Sequence, residues 1–503
     1  MKEQFYFFAD SMATGQTTLE RRIFMRAQLF ERYLHITPTI ITLGYEPRFA
    51  KNRADFIERQ LLSENTVILN MYEDLQMTQT TLLPPKKWQT NPLWSYEQIP
   101  DTYDIGVLNS EGRPVQYRYF DDEDHLETIV YYDTNGVILR TDLFDANGYL
   151  SKSQIVKEEA VVCEIFYRTD GKVCMYHFFE NDELTLIQLV DDEGAVLHQC
   201  ETEVELATFW LKTILEDDEL NLCFVDEDPV FAPIFEELGR KIKVIGMVHS
   251  AHVDFPHRPI DGPLNETYRR LFQQREKFSA VVFESFEQYE HVQERFGNRP
   301  DHFVIPTGLL ESPTRLPFEE RSNHHILFQS PLESNYQPDI ALRIFSKVAA
   351  EVPDAFLTFC GEGPMQFMLQ ELAEQFGLEE RVFFIEEPTE ELYADVQLAL
   401  STSIEGDMPM SILDCLAHGI PTASFTYLYG PGDLIMHHIS GLLATVNDED
   451  ELAESIIHAL NDETQVEDMS NCAYEEAERF QAKNYAIYWT QLIQRLREDY
   501  WKK

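Results

Sequence analysis

The chain has 503 residues, 44% hydrophobic and 12% aromatic, which gives room for two to four domains with real cores and excludes a disordered polymer. Its 88 acidic and 40 basic residues leave a net charge of −48. A field of that sign serves solubility and repels nucleic acid and anionic membranes, so a neutral polypeptide suits it better as a partner than a phosphate-rich polymer.

No N-terminal hydrophobic leader and no long apolar run is present, so a cytoplasmic protein with at most peripheral membrane contact is expected. Seven cysteines without a CxxC pair read as reduced, mostly buried thiols. In chain order, a strand at 5–9, a polar loop, a helix at 19–33, a strand at 37–43 and a helix at 53–62 make a Rossmann-like start. Gly15 is the one glycine of the first loop. Residues 95–205 change character. Five tetrads, at 109–112, 133–136, 145–148, 168–171 and 191–194, end in glycine after Asn, Asp or Glu. They read as hairpin turns of an antiparallel meander, without the spacing or final Glu of a calcium loop.

Residues 206–315 return to α/β alternation, with strands at 220–225, 242–248 and 280–283 and a helix at 285–296. The second of these strands ends in His249-Ser250-Ala251-His252, either a structural pair or a functional loop; a zinc pair would lack a third ligand nearby. A polar linker at 311–323 precedes a second Rossmann-like domain. That domain holds Gly361-Glu362-Gly363 after a strand and then the stretch 398–443: strand, polar loop with Glu405-Gly406, helix with Asp414, strand and a Gly-Pro-Gly loop. A loop at the carboxyl end of a parallel strand that opens a helix is where such sheets place ligands, and helix amides favour anions. The predicted domains are 1–94 with 206–315, the insert 95–205, 316–480, and a terminal helix at 481–503 with Tyr485, Tyr488 and Trp489 as core aromatics.

The stretch 398–443 resembles the donor-sugar motif of retaining family 4 glycosyltransferases of GT-B fold, above all the bacterial teichoic-acid α-glucosyltransferases and the adhesin O-GlcNAc transferases. The resemblance extends over nearly the whole chain, including the β insert. It implies two Rossmann-like domains with an antiparallel insert in the first, the insert serving acceptor binding or subunit contact. It also implies a UDP-sugar donor, no metal and no other cofactor. On the family pattern, His249 or His252 faces the sugar, and Gly15, Gly361, Glu362, Gly363 and Gly406 line the substrate. Glu405 and Asp414 take the place of the Glu pair, nine positions apart instead of eight.

Three departures from the family pattern matter. The first loop lacks its Gly-Gly pair. The donor loop is slipped by one residue. The Arg and Lys that neutralise the leaving UDP fall on Pro331 and Tyr336, with Glu333 between them and Arg343 the next cation. These departures lead to the expectation of a non-catalytic subunit that binds acceptor polypeptide and stabilises an active paralogous glycosyltransferase in a hetero-oligomer. The alternative is an active retaining transferase with His252, Glu405 and Asp414 as its working residues.

Overall fold

The computed structural model describes every residue except 1–2, 13–16, 79–81, 84–87, 89, 122–123, 216–218, 227, 239–241, 256, 311–316, 322–323, 405, 407 and 502–503. The expectations for Gly15 and Glu405 therefore lie outside the described residues.

Among the described residues there are three sheets. Seven strands, β1 (Glu3–Ala9), β2 (Thr39–Thr42), β3 (Val67–Asn70), β14 (Leu220–Val225), β15 (Ile242–Val248), β16 (Ala280–Phe283) and β17 (His302–Val304), stand in the order β17-β16-β15-β14-β1-β2-β3. The pairs β1–β14, β1–β2, β2–β3, β15–β16 and β16–β17 are parallel. Ten strands from β4 (Ser95–Gln98) to β13 (Val196–Cys200) form an antiparallel sheet in which each strand neighbours the next in sequence. Six strands, β18 (His325–Gln329), β19 (Phe356–Cys360), β20 (Val382–Ile385), β21 (Leu398–Ser401), β22 (Thr422–Thr426) and β23 (Gly441–Thr445), stand in the parallel order β20-β19-β18-β21-β22-β23. Two parallel α/β sheets and one antiparallel insert are the expected fold class.

By compactness the chain divides into residues 1–28 with 36–244, and residues 29–35 with 245–503. In the first unit the core strands are apolar runs: all six residues of β14 are buried, as are Phe5 to Ala9 of β1. Strands covered on both faces have no need of alternation. The meander instead carries the predicted turns. Gly112, Gly136, Gly148, Gly171 and Gly194 take φ of +75° to +84°, and the Asp133 carboxylate accepts the amides of Asn135 (2.7 Å) and Val137 (2.8 Å) to close its turn.

One buried ion pair fixes the helix Thr18–Leu29 to the end of β14. The Arg26 guanidinium meets both oxygens of Asp226, one at 3.0 Å, and lies 4.7 Å from the Phe7 ring centre. Both side chains are buried. Arg26→Ala leaves the Asp226 carboxylate without its guanidinium, a loss expected to destabilise by roughly 3–5 kcal/mol. Urea unfolding checks this, and the charge-free pair Arg26→Met with Asp226→Asn should recover most of the loss.

In the second unit the helix Pro338–Glu351 buries Ala341, Leu342, Ile344, Phe345 and Val348 against the six-stranded sheet. The terminal helix Ala482–Trp501 returns to the short π-helical turn Phe30–Leu34, where Trp489 packs edge-on against Phe30 with ring centres 5.4 Å apart. Of the three predicted core aromatics, Trp489 is buried and Tyr488 is 46% exposed. Among the described residues no helix is long and apolar enough to cross a membrane. All seven cysteines are unbonded, and five are buried.

Candidate functional site

Every predicted site residue within the described set lies in the second unit: all but Asp414 follow the carboxyl ends of parallel strands, and Asp414 lies in the helix Met410–Ala417. After β15 the chain turns at His249. The amides of His249 and Ser250 both donate to the Tyr268 hydroxyl, each at 3.1 Å. His249 Nδ1 lies 3.3 Å from Glu284 Oε1 at the end of β16, and both groups are buried. This histidine ties two strand ends together.

His252 is different. Its Nε2 is 3.0 Å from the Pro259 carbonyl. A carbonyl only accepts, so Nε2 carries the proton and Nδ1 is a bare acceptor. That Nδ1 is buried and has no hydrogen-bond partner among the described residues. Burial lowers the His252 pKa to about 4 against the Pro259 bond, with Arg295 and His291 adding to the lowering. Its ring packs between Phe272 (centres 5.8 Å apart) and Tyr429 (5.7 Å).

The loops after β18 and β19 are zipped by backbone. Leu332 N–H donates to Glu362 O (2.8 Å), and Met365 N–H donates to Leu332 O (3.1 Å). The two glycines make this approach possible. A Cβ on Gly361, at φ +141°, would stand 2.3 Å from Ser330 O, and one on Gly363 would stand 2.4 Å from Leu332 O. Gly363→Ala forces these loops apart, with an expected cost of about 1–3 kcal/mol. A lower urea midpoint would show it. Glu362 itself is exposed.

Thr402, after β21, clamps the start of the helix Pro338–Glu351: its hydroxyl donates to Gln337 O (2.8 Å) and Tyr336 O (3.1 Å). Gly406 is exposed at φ +137° with open space where a Cβ would stand. Asp414 sits half-buried in the helix Met410–Ala417. Its backbone carbonyl takes the His418 ring nitrogen at 2.7 Å.

Arg343, the next cation after the loop, is bound to Asp339 on its own helix and lies 3.7 Å from Glu449. Lys347 is likewise held by Glu449 (3.3 Å) and Asp450 (2.7 Å). Between residues 325 and 342 there is neither Lys nor Arg. The first unit holds a separate cavity of about 320 Å³ lined by Arg48, Lys51, Asp121 and Glu127. Its charges pair with each other, Arg48 with Glu127 at 2.8 Å and Lys51 with Asp121 at 3.1 Å.

Sequence reasoning missed Tyr429 and His291. The Tyr429 hydroxyl is 2.9 Å from His291 Nδ1, across 138 residues of chain. The only local signal is an aromatic before the Gly-Pro-Gly loop. Asp433, in the short helix of that loop, is a half-buried carboxylate whose pKa is raised by desolvation, against a hydrogen bond from Ser285.

Residues 317–476 match the family model for glycosyl transferases group 1. Over 96% of its length the chain is 21% identical to 74% of the poly(glycerol-phosphate) α-glucosyltransferase of Bacillus subtilis. It is 22% identical to the GtfA subunit of a UDP-N-acetylglucosamine–peptide N-acetylglucosaminyltransferase of Streptococcus gordonii, covering 77% of this chain and 80% of that one. Among solved structures it superposes on TarM (TM-score 0.82, 15% identity) and on pneumococcal O-GlcNAc transferase GtfA in complex with UDP and GlcNAc (TM-score 0.82, 17% identity). Each superposition covers 98% of this chain and 99% of the other. A GtfA/B complex aligns with a TM-score of 0.73 at 19% identity, over 99% of this chain and all of that one. These superpositions establish the GT-B fold.

Proposed function

We propose that the chain is a retaining glycosyltransferase that moves glucose or N-acetylglucosamine from a UDP-sugar to a hydroxyl of a polypeptide. The observation that carries this reading is the neutral His252, whose protonated Nε2 is committed to Pro259 and whose bare Nδ1 is buried at the end of β15. Supporting it are the Gly361–Gly363 turn, Asp414 in the place of the second donor carboxylate, and similarity along most of the chain to proteins named for this chemistry. Glu405 is its partner carboxylate in this proposal. A polypeptide acceptor is preferred over a polyanionic teichoic acid because the net charge is −48.

Turnover is slow in this reading. A departing UDP builds charge that the loop after β18 meets with Pro331, Glu333 and Tyr336 and with no cation. Calorimetric titration with UDP-glucose and UDP-GlcNAc tests it. Saturable heat with one of them is expected, and no heat with either refutes it.

That missing positive charge favours a second reading, a non-catalytic subunit that holds acceptor polypeptide for an active paralogue in a hetero-oligomer. A GtfA/B complex is the related assembly. Under this reading a paralogue glycosylates a Ser/Thr-rich polypeptide faster with this chain than alone, and the chain by itself transfers nothing.

A further inference from the structure

Tyr429 stands where a bulky residue rarely does. Its φ is +67°, in the left-handed region, and its side chain is 1% exposed. A buried residue keeps such a conformation only where its surroundings over-determine it. Here they do. A Cβ on the next residue, Gly430, would stand 2.2 Å from the Tyr427 ring, so that ring is packed directly on the loop backbone. The Tyr429 hydroxyl is 2.9 Å from His291 Nδ1, and its ring lies against both His291 (5.8 Å) and His252 (5.7 Å).

On the other side of the contact, His252 has no freedom left at Nε2, which donates to Pro259 O at 3.0 Å. Phe272 closes another face of its ring. What remains is Nδ1, an acceptor buried without a partner among the described residues. A bare acceptor of this kind is satisfied by a donor and repelled by the oxygen of a phosphate. The group that fits it is a neutral hydroxyl.

We propose that Tyr429 is a positioning residue: anchored by His291 and by its own strained loop, it holds the His252 ring so that Nδ1 accepts a hydrogen bond from a hydroxyl of the bound sugar. This assignment rests on the sugar-nucleotide reading above. It adds a residue and a division of labour, in which the clamp on His252 recognises the sugar and contributes nothing to the grip on the diphosphate.

Tyr429→Phe, His291→Ala and His291→Gln in the full chain test it, each titrated with UDP-GlcNAc and with UDP. Loss of the phenol–imidazole bond should weaken UDP-GlcNAc about ten-fold while leaving UDP unchanged. His291→Gln should recover the affinity, because its amide oxygen accepts the same phenol. Equal weakening of UDP and UDP-GlcNAc, or no change in either, overturns the assignment. A second readout is independent of ligand. In chain labelled with ¹⁵N-histidine, and with His252 assigned by its loss in His252→Gln, wild type should show the single Nε2–H tautomer and Tyr429→Ala a mixture. If wild type binds neither nucleotide, the sugar-nucleotide reading has failed. The spectra then decide the clamp alone, and a single unchanged tautomer in Tyr429→Ala refutes it.

Discussion

Under the proposed transferase reading, the double variant Pro331→Arg with Tyr336→Lys is expected to release UDP from a sugar nucleotide about a hundred-fold faster or more. The physical ground is the charge that develops on a departing diphosphate. One preorganised donor aimed at such charge is worth roughly 2.7–4 kcal/mol, or a factor of 10² to 10³ in rate. The loop after β18 offers none. Pro331 and Glu333 are exposed and Tyr336 is half-buried.

The backbone there is already held. Leu332 is bonded to Glu362 and Met365, and the Tyr336 carbonyl takes the Thr402 hydroxyl. Long cationic side chains can therefore be added without rebuilding the loop. Pro331 has no amide hydrogen to lose, and a Lys stem at 336 keeps much of the apolar contact of the ring it replaces. Glu333→Gln should add a smaller gain by removing an opposing charge. Arg343→Ala should change the rate little, because that guanidinium is committed to Asp339 and Glu449. A coupled assay for released UDP reads all three variants, and an unchanged rate in the double variant removes the cation deficit from the proposed reading.

Acid is expected to unfold the chain well before most of its carboxylates titrate. His177, His252 and His302 are buried, and burial lowers each pKa from 6.5 to about 4. In the unfolded chain each takes its proton near 6.5. Between pH 6.5 and about 4 the unfolded state therefore binds more protons, and stability falls as pH falls. Each histidine contributes roughly 3 kcal/mol across that window. Glu73 works the other way. Burial lifts its carboxyl to about 7, so its penalty is relieved as pH falls from 7 toward 4.5. Glu46 and Asp433 are raised in the same sense as Glu73 and His325 is lowered with the other histidines, so the balance is a net loss of a few kcal/mol as pH falls from 6.5 toward 4. Urea midpoints from pH 7.5 to 5 should drop steeply, and His252→Gln should flatten the slope. A pH-independent midpoint would contradict the burial of these rings.

The architecture was legible because its signals are local. Strands read at 220–225, 242–248 and 280–283 are found at those bounds, and the meander turns were marked by glycines that take positive φ. The helix read at 53–62 lies at Phe49–Glu58. Its N-cap is Arg48, which makes no side-chain cap bond, so no Ser, Thr, Asp or Asn marked the start; Gln60, at φ +59°, ends the chain's helical path without a glycine to announce it.

The site was legible only in part. Gly361 and Gly363 were found by their spacing, and the structure gives them a steric reason in the loop after β18. His249 and His252 looked equivalent in sequence. They separate only through Glu284 and Pro259, whose positions are set by the fold. Tyr429 and His291 were invisible because their pairing is made by tertiary structure, between the helix Phe286–Phe296 and the loop after β22.

The most direct test is incorporation of labelled sugar from UDP-glucose or UDP-GlcNAc into a Ser/Thr-rich polypeptide by the purified chain alone, with the double variant at 331 and 336 beside it. Slow but measurable incorporation that the variant accelerates is the predicted result. Zero incorporation by both proteins, with incorporation appearing only when a paralogue is added, would contradict it.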